Sequence, residues 1–245
     1  MLSIVLTYYN RPIQLANTLR SFAASKNKDF NVYIIDNNSS EDISLPQLPF
    51  DVNIIKLKGQ FNDNYIAAHN YGFKLTIEDC YPDRILIQHA EICHKGDVIS
   101  YAQTVTDKNY YSFSTYSLEF GEEIEDAKMN ERANTFDGDS GWYNHPIYRP
   151  AMHHFCSAIT TENLIKLNGF DERFCDGVAY DDDYFVEQIK RLGLKIEQPT
   201  NPFVFHQWHP KGFNDADKIL HNQALFEVLK NEKDFRAIHT LTPDL

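Results

Sequence analysis

Cysteine is scarce in this sequence, and its few copies are not arranged in pairs. The four residues, Cys80, Cys93, Cys156 and Cys175, show no C-x-x-C spacing. This pattern indicates neither a zinc site nor a disulfide framework. Free thiols in a reducing compartment are the simplest interpretation, because disulfides are rare in cytoplasmic proteins.

Long apolar stretches are also missing. No run approaches the ~18 residues that a membrane-spanning helix needs. The apolar start at 2–6 is too short, and too poor in basic residues, for a signal peptide. We therefore expect no membrane span and a cytoplasmic location, with at most peripheral contact at the inner face of the membrane.

Positive charge is in short supply. The 245 residues include 23 basic and 35 acidic side chains, a formal net charge of −12. A chain with this balance repels the phosphates of nucleic acids, so we expect no nucleic-acid partner. The length suits one large α/β domain, and the composition carries no signal of oligomeric state.

Short β-branched runs alternate with helical periodicity in the first part of the chain. The predicted strands cover 3–7, 31–36, 52–57 and 84–88, and the predicted helices cover 13–22 and 64–75. This alternation predicts an α/β fold with a parallel, doubly wound sheet. Ligands bind beyond the carboxyl ends of the strands in such sheets, and polar residues follow three of the four predicted strands.

The middle of the chain, 101–150, is rich in Tyr, Ser, Asn and acidic residues and has weak periodicity. We interpret it as a less regular insertion, partly strands, that ends in glycines and prolines such as Gly138 and Pro150. Regular elements then resume. They are a strand entering a helix at 158–167, a helix at 184–192, strands at 195–197 and 203–205, and a helix at 215–230.

Six segments, in order along the chain, resemble motifs of the family 2 glycosyltransferases, whose fold is called GT-A. They are SIVLTYYNR at 3–11, IIDNNSSED at 34–42, NDNYIAAHN at 62–70, LNGFDERF at 167–174, YDDDY at 180–184 and RLGLKI at 191–196. The resemblance implies one GT-A domain over 1–245, with a mostly parallel sheet and a smaller acceptor-side region. It also implies a nucleotide-binding half at 1–98, an acceptor and catalytic half at 99–210, and a C-terminal helical segment at 211–245.

The resemblance implies an inverting enzyme of polysaccharide biosynthesis. It would transfer a hexosyl or N-acetylhexosaminyl group from a nucleotide sugar, on family frequency a UDP-sugar, to a saccharide or lipid-linked acceptor. Asp181 matches the position of the family's catalytic Asp, the general base, and Asp182 is the alternative register. Without the flanking motifs, the same acidic run would be a helix cap.

The chain departs from the family at the metal-binding D-x-D, which reads His89-Ala90-Glu91 here. Glu91 is the remaining carboxylate that suits Mn²⁺ or Mg²⁺, and His206 is the expected second ligand. Alternatively, His206 and His209 are surface or stacking residues near Trp208, and the enzyme needs no metal.

The resemblance also assigns a nucleotide pocket. The expected residues are Thr7, Tyr9, Arg11, Asp36, Asn38, His69, Asn70 and His89. Asp36 would accept the imide N–H of uracil, whereas His69 and Asn70 would face the ribose or diphosphate. The alternatives are a simple turn cluster at 36–38 and a polar helix face at 69–70.

Aromatic and histidine side chains on the acceptor side are harder to assign. Trp142, Trp208 and His154 are the expected acceptor contacts, because aromatic rings stack on sugars. Burial in a core beneath the insertion is an equally good interpretation.

Two other functions compete with transfer. A pseudoenzyme or nucleotide-sugar-binding module is favoured by the altered D-x-D. A nucleotidyltransferase is disfavoured, because the turn after the first strand, 7–11, has no glycine for a phosphate loop.

Overall fold

The computed structural model describes residues 1–59, 61, 64–134, 140–210 and 215–245. Three residues used above, Asn62, Asp63 and Gly138, lie outside the described residues. The strands are β1 (Leu2–Tyr8), β2 (Phe30–Asp36), β3 (Val52–Lys56), β4 (Arg84–His89), β5 (Ile92–Lys95), β6 (Asn109–Ser112), β7 (Thr115–Ser117), β8 (Gly141–Asn144), β9 (Cys156–Thr160), β10 (Lys195–Glu197) and β11 (Phe203–His206). The helices are α1 (Pro12–Ala23), α2 (Tyr65–Cys80), α3 (Val98–Ala102), α4 (Thr161–Leu167), α5 (Asp181–Arg191) and α6 (Ala216–Leu229), with a 3₁₀ turn at Glu172–Asp176.

The main sheet has seven strands in the order β10-β6-β9-β4-β1-β2-β3. β1 lies parallel to β2 and β4, β2 is parallel to β3, and β6 is parallel to β10. Only β9 runs antiparallel to its neighbours, β4 and β6. The predicted mostly parallel α/β sheet is therefore confirmed.

Side chains of the main sheet alternate between two buried clusters, one on each face. Ile4 and Leu6 of β1 pack with α1, whereas Val5 packs with α2 and Phe73. This period of two is the geometry of a strand buried on both faces, and it explains why the strands read as continuous apolar runs.

A second sheet has four strands in the order β5-β11-β7-β8, and β7 and β8 come from the stretch that sequence patterns assign to an irregular insertion. It has its own small core around Tyr116, Trp142 and Phe205. β5 comes from the first 98 residues, whereas β6, β9 and β10 of the main sheet come from the later ones. The two expected halves of the chain therefore share both sheets.

Two helices differ from their predicted bounds for identifiable reasons. α2 extends to Cys80, where Tyr81 adopts a left-handed conformation that ends it. α5 begins at Asp181, earlier than predicted, because three acidic residues form its first turn. None of the described helices is long and apolar enough to cross a bilayer.

The turn before α5 is held by α6. Asn222 of α6 is buried, and its amide donates to the carbonyls of Phe174 (3.1 Å) and Ala179 (2.8 Å). Gly177 is required at this approach, since a Cβ there would lie 2.0 Å from the Asn222 Oδ1. Ala179 and Tyr180 both have positive φ, at 63° and 64°. α6 thus stabilises a strained backbone next to Asp181.

We expect Asn222→Ala to lower the free energy of unfolding by about 1–3 kcal/mol, because two buried carbonyls lose their donor. Denaturant titration measures this change. Asn231→Ala is the matched control, since the Asn231 side chain donates to Glu227 on the exposed surface. Equal stability of the two variants would contradict the anchoring role of α6.

Candidate functional site

The carboxyl ends of β1, β2 and β4 meet at one edge of the main sheet. Thr7 is paired in register with His89, and Tyr8 with Asp36. The start of α5 and the end of β11 adjoin this edge. A cavity of about 770 Å³ opens there, which is the size of a small-molecule site. Its wall includes Asp182, Asp183, His153, His206, Trp208 and His209.

The side chain of Glu91 is buried at the turn between β4 and β5 and is surrounded by positive or polarisable groups. Its Oε1 lies 2.7 Å from Arg11 Nη1, 3.8 Å from His206 Nε2 and 3.7 Å from His209 Nε2. Burial alone would raise the pKa of Glu91, but His89, Arg11 and His206 outweigh it and hold the pKa at about 2, because both imidazoles become protonated in the acid range where Glu91 titrates. Glu91 is therefore ionised at all ordinary pH values.

Glu91, His206 and His209 offer ligand atoms that lie within 4.8 Å of one another. Burial lowers the pKa of His206 to about 3, so its imidazole is neutral, the form that binds metals. The buried Nδ1 of His206 has no hydrogen-bond partner in the described part of the chain. One carboxylate and two imidazoles fit Mn²⁺ better than Mg²⁺, which prefers oxygen ligands.

The structure thus brings the two predicted metal ligands together and adds His209 as a third candidate. His209 was considered above only as a surface or stacking residue. The spacing H-x-x-H at 206–209, directly after a strand, is the signal that would have identified it.

The first turn of α5 carries two neighbouring carboxylates in different environments. The Tyr65 hydroxyl donates to Asp181 Oδ2, and His154 Nδ1 lies 2.6 Å from Asp182 Oδ1. Burial and the negative charge of Asp182 raise the pKa of Asp181 to about 6. Burial acts in the same direction on Asp182, but His154 and His153 outweigh it and hold the pKa of Asp182 well below its usual range.

These contacts argue against helix capping as the purpose of the acidic run. The N-cap residue of α5 is Tyr180, and its side chain makes no capping hydrogen bond. A helix N-terminus stabilises carboxylates in general, yet these two are bound by Tyr65 and His154. Two adjacent acids with pKa values pushed apart are typical of acid–base chemistry. Tyr65, from α2, lies in the segment NDNYIAAHN at 62–70, but nothing in that motif marks it as a partner of Asp181.

Most of the predicted nucleotide residues lie at the same edge of the sheet. Thr7 Oγ1 is 3.1 Å from His89 Nδ1, and Asp36 Oδ1 accepts the N–H of Ser39 at 2.9 Å. Tyr9 and Asn38 are exposed beside them, and Asn38 has a positive φ of 66°. Burial lowers the pKa of His89 to about 4, so this residue is neutral where the family has a carboxylate.

His69 and Asn70 are fully buried, contrary to the expectation that they face the ribose or diphosphate. The Asn70 amide donates to Phe170 O (2.8 Å) and to Glu172 Oε1 (3.0 Å), while its Oδ1 accepts the N–H of Phe170. His69 Nε2 lies 3.2 Å from the carbonyl of Gln88, and its ring packs against those of His89 and Phe170. Both residues join α2 to its neighbours.

The three predicted acceptor residues differ in position. Trp142 is buried in the core of the second sheet, where its ring contacts Tyr116 and its Nε1 donates to the carbonyl of Asn130, so it is not an acceptor platform. His154 is buried behind Asp182. Trp208 does line the cavity, and its ring lies 4.5 Å from that of Phe120, which is 77% exposed.

The sequence model described as "Glycosyl transferase family 2" matches residues 3–153. No curated protein sequence matches the chain. Among solved structures, S. aureus TarS 1–349 in complex with UDP-GlcNAc is 11% identical, with a TM-score of 0.64, covering 95% of this chain and 67% of that one. The Pyrobaculum calidifontis mannosyltransferase PcManGT, with GDP-Man and Mn²⁺, is 12% identical, with a TM-score of 0.58, covering 95% and 65%.

A Drosophila β1,4-galactosyltransferase 7 complex with manganese, UDP-Gal and xylobiose is 13% identical, with a TM-score of 0.53, covering 95% of this chain and 80% of that one. The chain spans only 40% of the longer S. aureus TarS structure. At these identities the likeness shows the GT-A fold alone.

We expect Glu91→Gln, His206→Ala and His209→Ala each to weaken Mn²⁺ binding at least tenfold in the presence of UDP, because each removes a ligand atom. Titration followed by electron paramagnetic resonance measures free Mn²⁺. His221→Ala, on the exposed face of α6, is the matched control. Unchanged affinity in all three site variants would exclude this cluster as the metal site.

Proposed function

Because the chain belongs to glycosyl transferase family 2, we propose that it transfers a sugar from a nucleotide sugar, a UDP-sugar, to a saccharide or lipid-linked acceptor with inversion. The transferred group would be a hexosyl or N-acetylhexosaminyl unit. UDP-GlcNAc, UDP-Gal and GDP-Man are bound by proteins of similar fold. All four cysteines are free, which agrees with a cytoplasmic reaction.

One observation carries the proposal. The paired carboxylates of Asp181 and Asp182 and the charged cluster around Glu91 adjoin the same edge of the sheet. A group that removes a proton and a group that holds a leaving diphosphate are the two requirements of inverting transfer.

In the proposed reaction, Asp181 accepts the proton of the acceptor hydroxyl. The hydroxyl oxygen forms a bond to the anomeric carbon as the bond from that carbon to the diphosphate oxygen breaks. The electron pair of the broken bond leaves with the nucleoside diphosphate. Burial and the negative charge of Asp182, which His154 holds ionised, together disfavour a charge on Asp181 and raise its pKa to about 6.

The leaving diphosphate needs positive charge. Arg11 supplies one such charge at the edge of the sheet, fixed by its ion pair with Glu91. A divalent cation held by Glu91, His206 and His209 would offset more of the diphosphate charge when bound. Thr7, Asp36 and Asn38 would hold the nucleoside at the ends of β1 and β2.

A binding module that has lost turnover is the second candidate. Its support is the Arg11–Glu91 pair, which occupies the carboxylate that a metal would use. Such a module would bind UDP but would not consume a UDP-sugar. The activity test below separates it from a transferase.

We expect Asp181→Asn to lower the rate of UDP-sugar turnover roughly 10²–10⁴-fold, the usual contribution of a general base. The assay measures UDP release from UDP-GlcNAc, UDP-Gal and UDP-glucose with Mn²⁺. Asp217→Asn, in the exposed first turn of α6, is the matched control. Full activity in Asp181→Asn with loss in Asp182→Asn would assign the base to Asp182, and no turnover by the unmodified chain would favour the binding module.

The same assay tests the pKa of the base. kcat/KM should rise with pH through about 6, because Asp181 must lose its proton to act. The Tyr65 hydroxyl favours the ionised form of Asp181, so Tyr65→Phe should raise its pKa and move this acid limb to higher pH. Tyr71→Phe removes a hydroxyl from the same helix and should leave the limb in place. A limb unaffected by Tyr65→Phe would argue that Asp181 does not control the rate.

A further inference from the structure

Three of the four carboxylates of the candidate site, which are Glu91, Asp181, Asp182 and Asp183, have a basic partner, and Asp182 and Asp183 line the cavity itself. Glu91 is paired with Arg11, Asp182 lies 2.6 Å from His154, and Asp183 Oδ1 lies 3.4 Å from His153 Nε2. Asp181 is bound by the Tyr65 hydroxyl instead. The negative charges at the cavity are thus balanced locally.

Arg149 lines the same cavity, but its guanidinium has no carboxylate partner within salt-bridge distance in the part of the chain that the structure describes. The chain has 35 acidic side chains for 23 basic ones, so an arginine without a carboxylate partner is not explained by a shortage of acids. A guanidinium in a concave, partly apolar site is a ready partner for a phosphate or carboxylate.

The position of Arg149 is fixed by an isolated β-bridge in the loop that follows β8. Its backbone exchanges two hydrogen bonds with His145, at 2.8 and 3.1 Å, which closes a short link after β8. Its guanidinium lies 5.8 Å from the ring centroid of Tyr143, a cation–π distance. Tyr143 in turn contacts the rings of Phe155 and His206. The charge is therefore held beside Tyr143 on the lining of the cavity.

We propose that Arg149 forms a subsite for an anionic group, phosphate or carboxylate, carried by the acceptor. This proposal rests on the proposed function in treating the cavity as the acceptor side. The diphosphate of the donor is the other source of the same chemistry. Two observations favour the acceptor: Arg11 already stands at the Glu91 cluster, and Arg149 lines the cavity together with His153 and Asp183, at the acidic end of α5.

The test uses glycerol 3-phosphate as the probe, with binding to the full chain followed by ligand-observed NMR. We expect the unmodified protein to bind the probe equally well with and without saturating UDP and Mn²⁺. Arg149→Gln should weaken probe binding roughly tenfold or more, since it removes a charged hydrogen-bond donor. Arg149→Lys should retain part of the affinity, because it keeps the charge but loses the planar fork.

Arg20→Gln is the matched control, because Arg20 lies on α1 and bonds to Asn17 on the surface. Glycerol lacks the phosphate, so its affinity should be the same for the unmodified chain and for every variant. Equal probe affinity in Arg149→Gln and the unmodified chain, or no measurable binding, would overturn the proposal.

Competition distinguishes the two sources. If UDP displaces the probe and Arg149→Gln weakens UDP binding as strongly, then Arg149 serves the donor diphosphate and the acceptor assignment is wrong. Probe binding requires no turnover. A failure to transfer sugar therefore counts against the proposed function and not against the anionic subsite.

Discussion

The carboxylate of Glu91 is removed from water at the turn between β4 and β5, and the site depends on how that charge is compensated. An unpaired buried ion costs several kcal/mol, so the chain must bring positive or polarisable groups to it. Arg11 comes from the start of α1, and His206 comes from the end of β11. Gln207 adds to this convergence, because its amide donates to the carbonyls of Gln14 and Glu91. The main sheet, the second sheet and α1 therefore meet at the carboxylate of Glu91.

The acidic start of α5 also contains buried carboxylates, but there only one of the two neighbours is compensated by a basic group. Asp182 is compensated by His154 and stays ionised, whereas Asp181 has only the hydroxyl of Tyr65 and a like charge beside it. The pKa of Asp182 is therefore held low, whereas the pKa of Asp181 is raised to about 6. The left-handed backbone at Ala179 and Tyr180 leads directly into the first turn of α5, which carries both carboxylates. α6 stabilises that backbone through Asn222.

The sequence predicts the main sheet well and the second sheet poorly, for a physical reason. Strands buried on both faces, such as β1 and β4, must be apolar and β-branched, so their pattern is unmistakable. β7 and β8 are short strands rich in Tyr, Ser and Asn, and they become strands through long-range pairing, β7 with β11 and β8 with β7. Pairing of this kind leaves no local signal.

The site residues divide in the same way. Glu91 and His206 could be predicted to meet, because the resemblance to the family 2 glycosyltransferases assigns both to the metal site. Asn70 and Trp142 could not be placed, since a polar side chain that satisfies the core and one that faces a ligand look alike in sequence. Their burial becomes visible only when the partners, Glu172 and Tyr116, are in place.

Because β5 completes the second sheet while β6, β9 and β10 extend the first, the two sheets are interleaved along the chain. A fragment that ended at residue 98 would expose β5 as an unpaired edge and would strip β4 of its antiparallel neighbour β9. Recombination that swaps whole halves between relatives would therefore have to preserve strand pairing in both sheets. The loop between β8 and β9, at 145–155, enters neither ladder and carries Arg149. Changes of sequence in this loop would alter what the protein recognises while leaving the strand pairing of both sheets intact, so it is the most suitable place for loop grafting.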